Sequence, residues 1–163
     1  MHSIIFQGRA GRFGVIGQGG QSGRWTAFDH TPGGIGTYSL VNSPIGGKAV
    51  KLDVASGNNA FLDSGVGVLA APPSPGANLV VSISALTTGS LNLADVELNT
   101  YSTTNGTGAF SGYVLNVLGQ PGNFATFTLT QPVASTVRSI RARIRARGTG
   151  SVTFDNLRTS IQN

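Results

Sequence analysis

From about Trp25 to the C-terminus, apolar and polar residues alternate with a period of two, and turn-forming clusters interrupt the alternation. That period belongs to strands, whose successive side chains point to opposite faces. In Asn78–Leu86, Leu79, Val81, Ile83 and Ala85 share one face and Ser82 and Ser84 the other. Ala94–Thr100 sets Val96 and Leu98 against Asp95, Glu97 and Asn99. Lys48–Ser56 sets Val50, Leu52 and Val54 against Lys51 and Asp53. Phe110–Leu118 is apolar on both sides, with Tyr113, Leu115 and Val117 facing away from Val114 and Leu118. Asn123–Thr130, Val137–Arg147 and Ser151–Arg158 complete the series. The interruptions are Asn42-Ser43-Pro44, Ser56-Gly57-Asn58-Asn59, Pro72-Pro73-Ser74-Pro75-Gly76, Asn105-Gly106 and Gln120-Pro121-Gly122. Such clusters hold the residues that turns require. Eight to ten short antiparallel strands predict an all-β fold, a β-sandwich over residues 25–163, either jelly-roll or immunoglobulin-like.

Composition agrees. Charged residues make up 10% of the 163 residues, against roughly 25% in ordinary globular chains. Glu97 is the single Glu, and Lys48 and Lys51 are the only lysines. The residues that fill exposed helix faces are therefore missing, which argues against an all-α fold. There is no Cys, which excludes disulfide scaffolds, thiol enzymes and cysteine metal sites. No apolar run reaches the length of a membrane span, so no membrane partner is expected. The start, Met1-His2-Ser3-Ile4-Ile5-Phe6, lacks the basic and long apolar parts of a secretory signal. The expectation is a protein made in the cytoplasm.

Residues 1–24 differ from the rest. Gly8, Gly11, Gly14, Gly17, Gly20 and Gly23 recur every third position, with Gly19 added. Strict Gly-x-x spacing is a collagen signature, but it comes with abundant Pro, and here there is none. A flexible Gly-rich tail is the plain alternative. The third reading is an extended arm that docks on a neighbouring subunit. Phe6, Phe13, Val15 and Ile16 would be its apolar anchors, and Arg9 and Arg12 its charged contacts.

The formal net charge is +5, and one segment concentrates it. In Arg138-Ser139-Ile140-Arg141-Ala142-Arg143-Ile144-Arg145-Ala146-Arg147, a strand puts Arg141, Arg143, Arg145 and Arg147 on one face. Ile140, Ala142, Ile144 and Ala146 form the opposite, core-facing side. Three readings of the cationic face stay open. The arginines could pair with Asp53, Asp95 or Glu97 on adjacent strands, for about 0.2–1 kcal/mol each. They could meet an acidic protein surface, since Arg forks onto carboxylates. A nucleic-acid groove is the third, and it is not the expected one, because no aromatic platform is interleaved.

Catalytic patterns are absent. His2 and His30 are the only imidazoles, and Ser22, Ser64 and Ser111 lack a nucleophile elbow. Asp95 and Glu97 share a strand face, but a solvated face explains them better than an acid pair does. Gly46-Gly47-Lys48-Ala49 lacks the rest of a phosphate loop. Sugar binding would need exposed rings, for which Trp25, Tyr38, Tyr101 and Tyr113 are the candidates.

The order of segments resembles the jelly-roll carbohydrate-binding modules, the galactose-binding-like sandwiches. Trp25-Thr26-Ala27-Phe28 stands for the early aromatic segment and Gly47-Lys48-Ala49-Val50-Lys51-Leu52 for the second strand. Ala77–Ala85 is similar to the central strand, and Gly150–Arg158 to the closing strand, where an acid follows an aromatic. The resemblance implies a structural calcium with Asp155 as a ligand, and Asp29 is the one nearby acid to serve with it. Phage virion proteins reuse this sandwich as a decoration or attachment module. The resemblance therefore implies a non-enzymatic phage structural protein, first a capsid decoration or cement protein located in the virion. Its partners would be the major capsid protein or other virion subunits, with homo-oligomers, including a trimer, in view. The alternative it implies is a carbohydrate-binding module or glycan-binding attachment domain.

Overall fold

Alternation of inside and outside residues makes strands along nearly the whole described chain. The computed structural model describes residues 5–9, 12–16, 26–29, 36–44, 48–63, 66–69, 71–119 and 122–162. The strands are β1 (Ile5–Arg9), β2 (Arg12–Ile16), β3 (Thr26–Asp29), β4 (Thr37–Asn42) and β5 (Lys48–Asp63). They continue as β6 (Gly67–Val68), β7 (Asn78–Tyr101), β8 (Phe110–Asn116), β9 (Ala125–Pro132) and β10 (Ser139–Gln162). All pairings are antiparallel. Among the described residues no helix is long and apolar enough to cross a membrane.

β7 and β10 run for 24 residues each and β5 for 16, far beyond the usual five or six. They achieve this by serving two sheets in turn. In the first sheet the order is β3, the C-terminal half of β5, the N-terminal half of β10, the C-terminal half of β7, then β8. In the second it is β4, the N-terminal half of β5, the C-terminal half of β10, the N-terminal half of β7, then β9. One buried apolar cluster draws on both halves. Val96, Leu98, Ile140 and Ile144 come from the first sheet, and Leu52, Leu79, Val81, Ile83, Val152 and Phe154 from the second. The two sheets thus close on a shared core as a jelly-roll sandwich, at about 25 cal/mol per Å² of apolar surface removed from water.

The crossover between sheets is a glycine corner. Register shifts in β10 fall at Arg147/Gly148 and Gly148/Gly150. Gly89, Gly148 and Gly150 have φ of 76°, 116° and 149°. A Cβ on Gly150 would stand 2.1 Å from the Thr88 carbonyl oxygen. Strands that change sheets need such bends, and only Gly fits the backbone and the space.

Two expectations are modified here. Asn78–Leu86 with Ala94–Thr100, and Val137–Arg147 with Ser151–Arg158, are each one continuous bent strand. Ser56-Gly57-Asn58-Asn59 lies within β5 and does not end it. The ladder persists because neighbouring strands bend at the same level and keep their hydrogen bonds. Ile5–Arg9 pairs with Arg12–Ile16 in a two-stranded sheet of its own, with Phe6 opposite Val15 and Gly8 opposite Phe13. β1 also runs beside β10.

Candidate functional site

The outer face of the first sheet carries a row of charged and aromatic side chains. Register places them in rows across the strands. Arg145 stands opposite Asp95, which stands opposite Asn116. Arg143 stands opposite Glu97, and Glu97 opposite Val114. Arg141 stands opposite Asn99, and Asn99 opposite Gly112. At the rim, Tyr101 stands opposite Phe110. Cross-strand partners share a face, so these rows form one surface.

Arg145 forks onto Asp95, with Nε and Nη2 each donating at 2.7 Å, and its Nη1 reaches Glu97 at 2.8 Å. The hydrogen bonds to Asp95 hold the Arg145 guanidinium above its ordinary range, against the opposing effect of burial. Glu97 in turn accepts from the Asn99 side-chain nitrogen at 2.8 Å. A carboxylate can only accept there, so the amide orientation of Asn99 is set and its oxygen is the free end. Asn99 is 7% exposed, and that Oδ1 has no hydrogen-bond partner. A Cβ at Gly112 would stand 3.2 Å from it.

Two more arginines of the row lie over rings. The Arg143 guanidinium lies 4.3 Å from the centre of the Phe61 ring, and that of Arg141 lies 5.9 Å from the centre of Tyr101. Tyr101 and Phe110 face each other at 6.1 Å with an interplanar angle of 37°. Phe110 is 67% exposed and Val114 50%. The loop from Ser102 to Ala109 closes one end: Ser139 Oγ donates to the Thr103 carbonyl at 2.6 Å, and Gly106 lies beside Arg141. Charge, an aromatic wall and an unsatisfied acceptor therefore meet in one place.

Sequence-predicted positions divide as follows. Arg141, Arg143, Arg145 and Arg147 do share a face, and Asp95 and Glu97 do pair with it, through Arg145. Asp53 instead pairs with Lys51 at 2.7 Å on the second sheet. Tyr101 stands on the candidate face. Tyr113 does not: it packs against the core cluster, and its hydroxyl donates to the Pro132 carbonyl at 3.0 Å. Tyr38 lies in β4, on the second sheet. Trp25 is outside the described residues, as are the side chains of Phe6, Arg9, Arg12, Phe13, Val15 and Ile16 in β1 and β2. Asp155 is buried and accepts from the Ser43 hydroxyl and from the Asn156 N–H, where Asn156 adopts φ 56° at a register shift. Its oxygens brace that bend. Among the described residues no three His, Cys, Asp or Glu side chains cluster to hold a metal. Asn99, Phe110 and Gly112 went unnoticed in the sequence, although Phe110, Gly112 and Val114 follow a period of two.

No protein-family model and no curated protein matches the sequence. Solved structures do match its fold. The enzymatically active domain of tailspike protein 4 from bacteriophage CBA120 aligns at a TM-score of 0.62 and 16% identity, over 85% of this chain and 19% of that one. The CBM22-1–GH10 modules of Clostridium thermocellum endo-1,4-β-D-xylanase 10B, complexed with xylohexaose, align at 0.61 and 12%, over 85% and 26%. The family 11 carbohydrate-binding module of the C. thermocellum cellulosomal cellulase Lic26A-Cel5E aligns at 0.55 and 13%, over 94% and 96%. This fold is a carbohydrate-binding-module-like jelly roll. The chain spans about a fifth of the tailspike and a quarter of the xylanase, so the likeness concerns one jelly roll within each. In this jelly roll the candidate face belongs to the sheet that ends in β8.

Proposed function

We propose that the protein is a non-enzymatic glycan-binding module, with its sugar-binding surface on the outer face of the first sheet. The observation that carries this reading is Phe110, which leaves most of its ring in solvent while packed beside Tyr101. An exposed phenyl ring packed beside a half-buried tyrosine, an amide and a guanidinium suits a sugar ring. The rings take its C–H face, and the polar row takes its hydroxyls. Fold neighbours named as carbohydrate-binding modules, one of them complexed with xylohexaose, support the reading. A phage tailspike among them supports an attachment role in a virion. A glycan array tests the proposal. The full chain should bind a restricted set of glycans, and Phe110→Ala should lose that binding at unchanged melting temperature. Binding that ignores Phe110→Ala contradicts it.

The capsid-decoration role is a second reading, favoured by the leader, whose strands pair in a sheet separate from the sandwich. There the leader would grip a capsid protein or another virion subunit, or link copies of the chain. Size-exclusion chromatography with light scattering should then show an oligomer for the full chain and a monomer after deletion of residues 1–24. Equal masses contradict the leader's linking role.

A further inference from the structure

We infer that the glycans taken by this face are uronic-acid glycans, and that Arg141 receives the sugar carboxylate. The inference rests on the glycan-binding reading and narrows it. Its first support is electrostatic. Arg145 spends its charge on Asp95 and Glu97. Arg141, on the same face, makes no ion pair among the described residues, and its guanidinium lies 5.9 Å from the centre of the Tyr101 ring. On a chain of net charge +5, this guanidinium keeps its fork for an incoming carboxylate, which it binds with both charge and geometry.

The second support is the unpaired acceptor in the same row. Asn99 Oδ1 is buried without a partner, its amide nitrogen is committed to Glu97, and the neighbouring residue 112 is Gly, whose Cβ would stand 3.2 Å from that oxygen. Leaving a buried acceptor unmet is costly, so the site favours a ligand that brings a donor. A sugar hydroxyl is such a donor. A uronic acid thus offers three complementary groups on one rigid ring: a carboxylate for Arg141, a hydroxyl for Asn99 and a C–H face for Tyr101 and Phe110. An acidic protein surface would match the charge, but it brings no rigid C–H face to the ring pair.

Affinity electrophoresis and calorimetry on the full chain test this, with polygalacturonate, its methyl-esterified form, neutral galactan and poly-glutamate as probes. Polygalacturonate should bind at least about tenfold more tightly than the ester, and the advantage should shrink with salt. Arg141→Gln should remove the advantage of the acid over the ester. Gly112→Ala, which crowds Asn99, should weaken acid and ester alike. Equal affinity for acid and ester overturns the inference while leaving the glycan reading standing. Tighter binding of poly-glutamate than of any glycan overturns it in favour of an acidic protein partner. Binding to none of these glycans overturns the inference, and an empty glycan array overturns the glycan reading as well. If Arg141→Gln does not fold, the acid-against-ester comparison on the unaltered chain still decides.

Discussion

Arg145 meets two carboxylates, Asp95 and Glu97, and the cost of removing it follows from what it would leave behind. Asp95 is 4% exposed, so Arg145→Ala strands a buried charge. The expected loss is about 3 kcal/mol of unfolding free energy, read by chemical denaturation. Arg147, exposed at the end of the row, should cost under about 0.5 kcal/mol when changed to Ala. Equal losses at the two positions would mean that the fork adds nothing. Period two revealed that the four arginines share a face, but not which of them meets an acid. That depends on the offset between β7 and β10, set by pairing partners dozens of residues away. Phe110 escaped notice for a different reason. β8 is apolar on both sides, so alternation could not say which side faces water, and Tyr113, three residues on from Phe110, turns into the core.

At the scale of elements, the glycine corner lets β5, β7 and β10 each serve two sheets. Gly150→Ala would drive a Cβ into the Thr88 carbonyl and force a backbone angle that side chains avoid. It should cost at least about 3 kcal/mol. Gly122→Ala shares a positive φ but has open space around it, so its cost should be only about 1–2 kcal/mol. Thermal unfolding of the two variants side by side checks the contrast, and similar melting temperatures would argue against a tightly packed corner. The strand segments were legible because alternation is local. Their fusion was not, since Gly and Asn mark a bend within a strand as readily as a turn between strands. The hairpin in the leader was hidden by the same ambiguity, because its glycine spacing dominates the signal and cross-strand pairing leaves no local mark.

At the scale of the molecule, sandwich and leader are separable in sheet topology, since β1 and β2 pair only with each other. Deleting residues 1–24 should therefore leave a cooperative unfolding transition and an unchanged glycan profile, even though β1 runs beside β10. Loss of cooperative folding would show that the leader is part of the sandwich. The second sheet offers a competing location, a hollow of about 350 Å³ lined by residues such as Thr37, Lys51, Asp53 and Ser151. It lacks the ring pair, and so binding is assigned to the first sheet. Backbone-amide NMR during titration with an array-selected oligosaccharide tests this most directly. The largest shifts are expected at Asn99, Tyr101, Phe110, Gly112 and Arg141. Shifts centred instead on Lys51, Asp53 and Ser151 would contradict it.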